Sequence, residues 1–183
     1  LAAIFENKGQ PSATQISSLI DFYEKGNKRA AKELANDLLR QYPSHSLSWR
    51  ILGASHSELG EWEEALIAAK HLAEAEPNEA STLHNLSMAL RKTGKFFEAE
   101  TKAREAILNN PLFADAYENL GKILRLLGRL AESEKNLRKF IDLRPGVMSG
   151  HRNLAAVLYD QGSLAEAKHH CEAAVKLEPD LPE

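Results

Sequence analysis

Apolar and small residues run along this chain in two alternating stripes with a helical rhythm, and the pair of stripes returns every 34 residues. Written as residues 12–45, 46–79, 80–113, 114–147 and 148–181, the chain falls into columns. The fourth place of the five windows reads Gln15, Trp49, Leu83, Tyr117 and His151. The seventh reads Ser18, Leu52, Leu86, Leu120 and Leu154, the eighth Leu19, Gly53, Ser87, Gly121 and Ala155, and the eleventh Phe22, His56, Leu90, Leu124 and Leu158. Places 4, 7, 8 and 11 share one side of an α-helix, so each window opens with an amphipathic helix that buries this side. A second stripe follows, with Ala31, Ala65, Ala99, Ser133 and Ala167 at place 20. Place 24 holds Ala35, Ala69, Ala103, Leu137 and Cys171, and place 27 holds Leu38, Leu72, Ala106, Phe140 and Ala174. Between the stripes stand Gly26, Gly60, Gly94, Gly128 and Gly162, and after the second stand Pro43, Pro77, Pro111, Pro145 and Pro179. Glycine closes the first helix because it enters the left-handed region without a Cβ penalty. Proline closes the second because its ring cannot continue a helix. Small residues at places 8 and 20 let the paired helices approach, and larger ones at 4, 7, 11, 24 and 27 fill the spaces between pairs.

These columns resemble the tetratricopeptide repeat, whose signature is a large residue at 4, Leu at 7, a small residue at 8, Ala at 20 and Pro at 32. The resemblance covers residues 12–181 and implies an all-α, right-handed α-solenoid of five helix-turn-helix repeats. Residues 1–11 are then an N-terminal extension and residues 182–183 a tail. Repeat one departs most, with Gln15 and Ser18 at apolar places, and reads as a cap, since terminal repeats of solenoids are generally atypical. His56 and His151 replace apolar residues in repeats two and five. The 35-residue pentatricopeptide period would drift by one residue per repeat, and these columns do not drift. Five stacked hairpins are expected to bury one continuous core and to act as one cooperative array.

No stretch reaches the roughly 18–20 consecutive apolar residues of a membrane span, and no charged-then-apolar leader opens the chain. The first residue is Leu1 rather than Met, which suggests a processed product or an excised fragment. Cys171 is the single cysteine and occupies a core place, where a small buried hydrophobe is the expectation. Without a disulfide framework the cytoplasm is the expected compartment.

Motifs for catalysis, nucleotide phosphates and metals are absent, so no cofactor and no enzymatic activity are expected. His169, His170 and Cys171 are consecutive on a helix and point about 100° apart, too divergent to share one ion. His169 and His170 are expected to face solvent, and His56, His84 and His151 to be structural. A net charge of −3 argues against a nucleic-acid backbone as ligand.

In the tetratricopeptide family the concave groove is lined by first-helix places 2, 5, 6, 9, 12 and 13. Place 6 here carries Asn85, Asn119 and Asn153 in three successive repeats. A planar amide holds both a donor and an acceptor, so such a row can pair with the backbone of an extended peptide whatever its side chains. The row resembles the asparagine ladder of the O-linked N-acetylglucosamine transferase superhelix. The alternative is that these amides bond only to neighbouring helices. The family's carboxylate clamp would need Lys at 5 with Asn at 9, then Asn at 6, then Lys at 2 with Arg at 6. Repeats two to four offer Arg50 with Ala54, then Asn85, then Asp115 with Asn119, so chaperone docking is not expected. The other groove places are graded. Ile16, Ile20, Tyr23, Leu47 and Ala54 make one end apolar, while His84, Arg91, Lys92, Lys122, Arg125 and Arg152 make the other basic, tempered by Asp115, Glu118 and Asp160.

The expected function is a non-catalytic scaffold that binds an extended peptide or protein segment, with acidic segments as candidates, and not nucleic acid or membrane. Its groove residues are Asn85, Asn119, Asn153, Arg50, His84, Arg91, Lys122, Arg125, Arg152 and Tyr159. The second helix of repeat five carries Cys171, Ala174, Val175 and Leu177 with no following repeat to cover them, which suggests self-association or further chain. The alternative reading is a substrate-recruiting or assembly module of a larger enzyme of glycosyltransferase, sulfotransferase or oxygenase type.

Overall fold

A computed structural model describes residues 9–177, and the described residues form ten α-helices and no strand. They pair within the 34-residue windows as α1 (Ala13–Glu24) with α2 (Lys28–Gln41), α3 (Ser46–Glu58) with α4 (Trp62–Ala75), and α5 (Ala80–Lys92) with α6 (Phe96–Asn109). The last two pairs are α7 (Ala114–Leu126) with α8 (Leu130–Leu143) and α9 (Met148–Asp160) with α10 (Leu164–Leu177). Contacts divide the chain into two compact units, one containing α1–α4 and the other, from Asn78 onward, containing α5–α10. Within each unit the second helix of a pair packs on the first helix of the next, and first helices also touch one another across pairs.

Every turn inside a pair has the same construction. Gly26, Gly60, Gly94, Gly128 and Gly162 sit at φ between 74° and 82°, and the next residue returns a backbone N–H to the carbonyl five residues earlier, as in Arg129 to Leu124 at 2.9 Å. This is the Schellman closure, which satisfies carbonyls that the end of a helix leaves open. The second helices stop before proline for a different reason. Tyr42, Glu76, Asn110 and Arg144 have φ between −131° and −141°, extended backbone that a following proline ring favours. Trp49 Nε1 and the Tyr117 hydroxyl then donate to the carbonyls of Pro43 and Pro111, at 2.7 and 3.1 Å, tying two first helices to the turns that precede them.

The columns become the cores. Leu52, Leu86, Leu120 and Leu154 are buried at place 7, and place 20 is buried in all five pairs. Close approach at places 8 and 20 is locked by serine in both directions. Ser87 Oγ donates to the Ala99 carbonyl, and Ser133 Oγ donates to the Gly121 carbonyl, each at 2.7 Å. The bulkier α8 requires two compensations. A Cβ added at Gly121 would meet Leu137 Cγ at 2.6 Å, and one at Gly150 would meet Phe140 Cδ1 at 2.8 Å. Place 3, where Gly150 stands, is a column of small buried residues that continues through Ser48, Thr82 and Ala116.

Two expectations are corrected. Cys171 is exposed rather than buried, because α10 has no described helix packed beyond it. His170 does not face solvent. It is half-buried, with its Nδ1 at 2.9 Å from His151 Nδ1, so one imidazole donates and the other accepts. In the cap repeat, the polar Gln15 has a local role as the third helical residue of a capping box. Its Oε1 accepts from the Ser12 N–H while Ser12 Oγ accepts from its own N–H.

Candidate functional site

The first helices α5, α7 and α9 lie side by side in the second unit, and most of the candidate residues are on them. Arg91, Lys122, Arg125 and Asn153 line one cavity of about 190 Å³, walled on its apolar side by Leu126 and Leu137. Their places recur because each first helix presents the same side one repeat later. Arg125 pairs with Asp160 at 2.6 Å, joining place 12 of one repeat to place 13 of the next. Lys122 pairs with Glu118 at 2.8 Å on its own helix, and Glu118 also accepts from Asn153 Nδ2 at 2.7 Å. Arg91 differs from both, because its side chain makes no ion pair with a carboxylate among the described residues. Its Nε donates to Asn119 Oδ1 at 2.8 Å, and burial pulls its pKa below the usual arginine value, an effect that the nearby Glu118 charge opposes.

Asn119 is only 4% exposed, and its amide is occupied on both sides. Its oxygen takes the Arg91 Nε–H, and its nitrogen donates to Ser87 Oγ at 2.8 Å. Place 6 therefore lies partly between neighbouring first helices, as the burial of Ile51 at the same place of repeat two also shows. Asn85 is half-buried and its amide makes no hydrogen bond among the described residues. Arg152 and Tyr159 are exposed on α9.

His84 does not line this cavity; its ring makes an edge-to-face contact with Phe113, with centroids 5.3 Å apart, and its buried Nδ1 has no hydrogen-bond partner among the described residues. Burial lowers its pKa, with Asp115 and Glu118 acting in the opposite direction. Burial also lowers the pKa of His45 and His170, the latter further through the His151 and His169 charges. Depressed imidazoles keep the folded state neutral while the unfolded chain takes up protons, so stability is full above pH 6.5 and falls as the pH drops below it. Glu58 and Glu61, held low by Tyr23 and by Lys32 respectively, should add a second loss below pH 4.5. Thermal melts across this range should show two acid limbs, and His84→Leu should shrink the first and leave the second.

The candidates on the first unit are differently occupied. Arg50 pairs with Glu76 at 2.6 Å. Ile20, Tyr23 and Leu47 pack against the cluster around Leu19, Leu38 and Leu52, so the expected apolar lining is largely used in folding. The Tyr23 hydroxyl donates to Glu58 at 2.7 Å, and its pKa is pushed up to about 12, first by burial and then by that carboxylate. Sequence reasoning missed the Ser87–Asn119–Arg91 connection. Its only trace in the chain is a serine at place 8, where glycine or alanine would pack as well.

No group of three or more His, Cys, Asp or Glu side chains among the described residues could hold a metal ion. None of the described helices is long and apolar enough to cross a membrane. Tetratricopeptide repeat models match residues 19–80 and 84–147, and a further one matches residues 149–181. Among curated proteins there is no match. Solved structures similar to this chain include MamA from Desulfovibrio magneticus RS-1, 17% identical with a TM-score of 0.81, over 96% of this chain and 99% of that one. The thermophilic tetratricopeptide protein TTC0263 of Thermus thermophilus is 23% identical with a TM-score of 0.74, over 91% of each chain. YrrB, a tetratricopeptide protein with an unusual peptide-binding site, is 16% identical with a TM-score of 0.72, over 93% of this chain and 88% of that one. At such identities the likeness is one of fold.

Proposed function

The chain belongs to the tetratricopeptide repeat family, and from that premise we propose that it is a protein-interaction scaffold, without chemistry of its own, whose α5–α7–α9 face holds an extended polypeptide segment. The observation that carries this reading is the cavity in which Arg91, Lys122, Arg125 and Asn153 converge from three successive first helices. An extended chain crossing those helices meets the same places at each step, which is how a repeated surface matches a repeated backbone. The binding residues are Asn85 and Asn153 for the ligand backbone, the three cavity cations for acidic groups, and Arg152 and Tyr159 at the exposed edge of α9. Asn119 is withdrawn from this set and acts inside the protein, since both sides of its amide are engaged. A peptide ligand is supported by YrrB, a tetratricopeptide protein with an unusual peptide-binding site.

The test begins with a pull-down and continues by mapping each captured segment as a synthetic peptide through amide chemical shifts. Peptides should perturb α5, α7 and α9. The double change Asn85→Ala with Asn153→Ala should weaken all of them alike, because two lost amide pairs at about 0.5–1.5 kcal/mol each correspond to roughly 5- to 150-fold in affinity. Segments that bind the folded double variant as tightly as the original protein, with shifts confined to other helices, would remove this face from the function.

A further inference from the structure

Arg91 is a half-buried cation without a carboxylate of its own, and its surroundings aim it rather than merely tolerate it. Three bonds in series fix the guanidinium. Ser87 Oγ donates to the Ala99 carbonyl of α6, so the serine oxygen is left to accept from Asn119 Nδ2, and that leaves Asn119 Oδ1 to accept from Arg91 Nε. Each donor has one acceptor, and the amide has only one orientation that satisfies both of its neighbours. The chain of bonds runs from helix backbone to guanidinium and leaves the two terminal nitrogens for a ligand.

The charges around the cavity make the same point. Three cations line it, and two of them are answered, Lys122 by Glu118 and Arg125 by Asp160. The third, Arg91, has no carboxylate in contact, and Glu118 acts on it only from a distance. Removing a charge from water without a counter-charge is costly, and a guanidinium recovers most when two of its N–H groups face the two oxygens of a carboxylate. Leu126 and Leu137 wall the space, which favours a small anion carried on an apolar stem over a polyanion.

We propose that this cavity binds one carboxylate, gripped by the terminal nitrogens of Arg91 with Lys122 at its edge, and that the group is an acidic side chain or the terminal carboxylate of a polypeptide. This rests on the scaffold reading above for the source of the carboxylate, although the site itself does not depend on it. The cations stand at places 9 and 12 of their repeats, whereas a carboxylate clamp carries its cations at places 2, 5 and 6. Asn119 is a positioning residue for Arg91, and Glu118 is an internal competitor that weakens the site by answering Lys122.

The experiment titrates the isotope-labelled protein with four probes and follows the Arg91 Nε–H resonance. N-acetylglutamate amide presents a side-chain carboxylate, N-acetylglycine a terminal one, N-acetylglutamine amide is the neutral control, and inorganic phosphate tests for a general anion site. One or both carboxylates should saturate the Arg91 signal, and the neutral amide should not move it. Whichever carboxylate saturates at lower concentration identifies the source. Arg91→Met, followed through the backbone amides of α7 beside the cavity because the Arg91 signal is gone, should weaken carboxylate binding about tenfold or more, the loss expected when a charge-assisted pair goes. Asn119→Asp should do the same by supplying Arg91 with a carboxylate from within. Glu118→Gln should tighten binding about threefold or more, a gain that misfolding cannot imitate. An Arg91 signal unmoved by both carboxylates up to about 100 mM, where even a ~10 mM site is mostly filled, overturns the proposal, as does saturation by phosphate at lower concentration than either. If captured polypeptides map to this face while the carboxylates leave Arg91 untouched, the carboxylate site is lost and the scaffold reading remains. If the carboxylates saturate Arg91 and no polypeptide docks on the face, the scaffold reading is lost and the site remains.

Discussion

Leu120→Ala is expected to cost about 2–5 kcal/mol, and a change such as Lys139→Ala in the same unit about 0.5 kcal/mol or less. Leu120 is 3% exposed on α7, between α6 and α8, and truncating it leaves a cavity that neighbouring first and second helices cannot collapse around without losing their own contacts. Lys139 lies exposed on α8 and makes no ion pair among the described residues. Urea melts of the two variants measure the difference directly. Equal losses would mean that place 7 is not where the core of this unit is closed.

Gly150→Ala should destabilise the protein by about 1–3 kcal/mol, although the change adds a single methyl group to a helix that alanine otherwise favours. The added Cβ would stand 2.8 Å from two atoms of the buried Phe140 ring and 3.0 Å from Ile141 Cγ1. The effect should belong to the pair. With Phe140→Leu in the background, the ring is gone and Gly150→Ala should become nearly neutral, giving a coupling of about 0.5–3 kcal/mol in a double-mutant cycle. Additive losses in such a cycle would show that the glycine is needed for its backbone and not for the space it leaves to Phe140.

The helices, their glycine turns and their proline stops were legible because each is set by local chemistry, repeated five times with the same spacing. The columns at places 7, 20 and 27 also read correctly, since burial there depends on a single helix face. Part of what the chain did not disclose depends on pairs of residues about 30 positions apart. Asn119 looks like any amide on a groove face until Arg91 and Ser87, 28 and 32 residues earlier, are seen to occupy both its sides. Gln15 broke a column because it serves a local capping box, a motif readable in Ser12-x-x-Gln15 that the stronger 34-residue rhythm obscured. Cys171 was placed by its column and His170 by the divergence of consecutive helical side chains, and at the last described helix the first is exposed while the second meets His151. Periodicity identifies the face a residue occupies, and only the next repeat decides whether that face is free.

The fit of Phe140 to Gly150 has a consequence for how the chain finds its own order. Five hairpins with interchangeable turns could in principle assemble out of sequence or exchange between molecules, because the backbone bonding of one suits any other. Place 3 of the other repeats carries Thr14, Ser48, Thr82 and Ala116 where α9 carries Gly150, so each would bring a Cβ into the space the Phe140 ring occupies. α8 is thereby marked to accept α9 as its successor and to reject the rest. A size match made only with the correct neighbour acts as an address, which a solenoid of identical consensus repeats would lack.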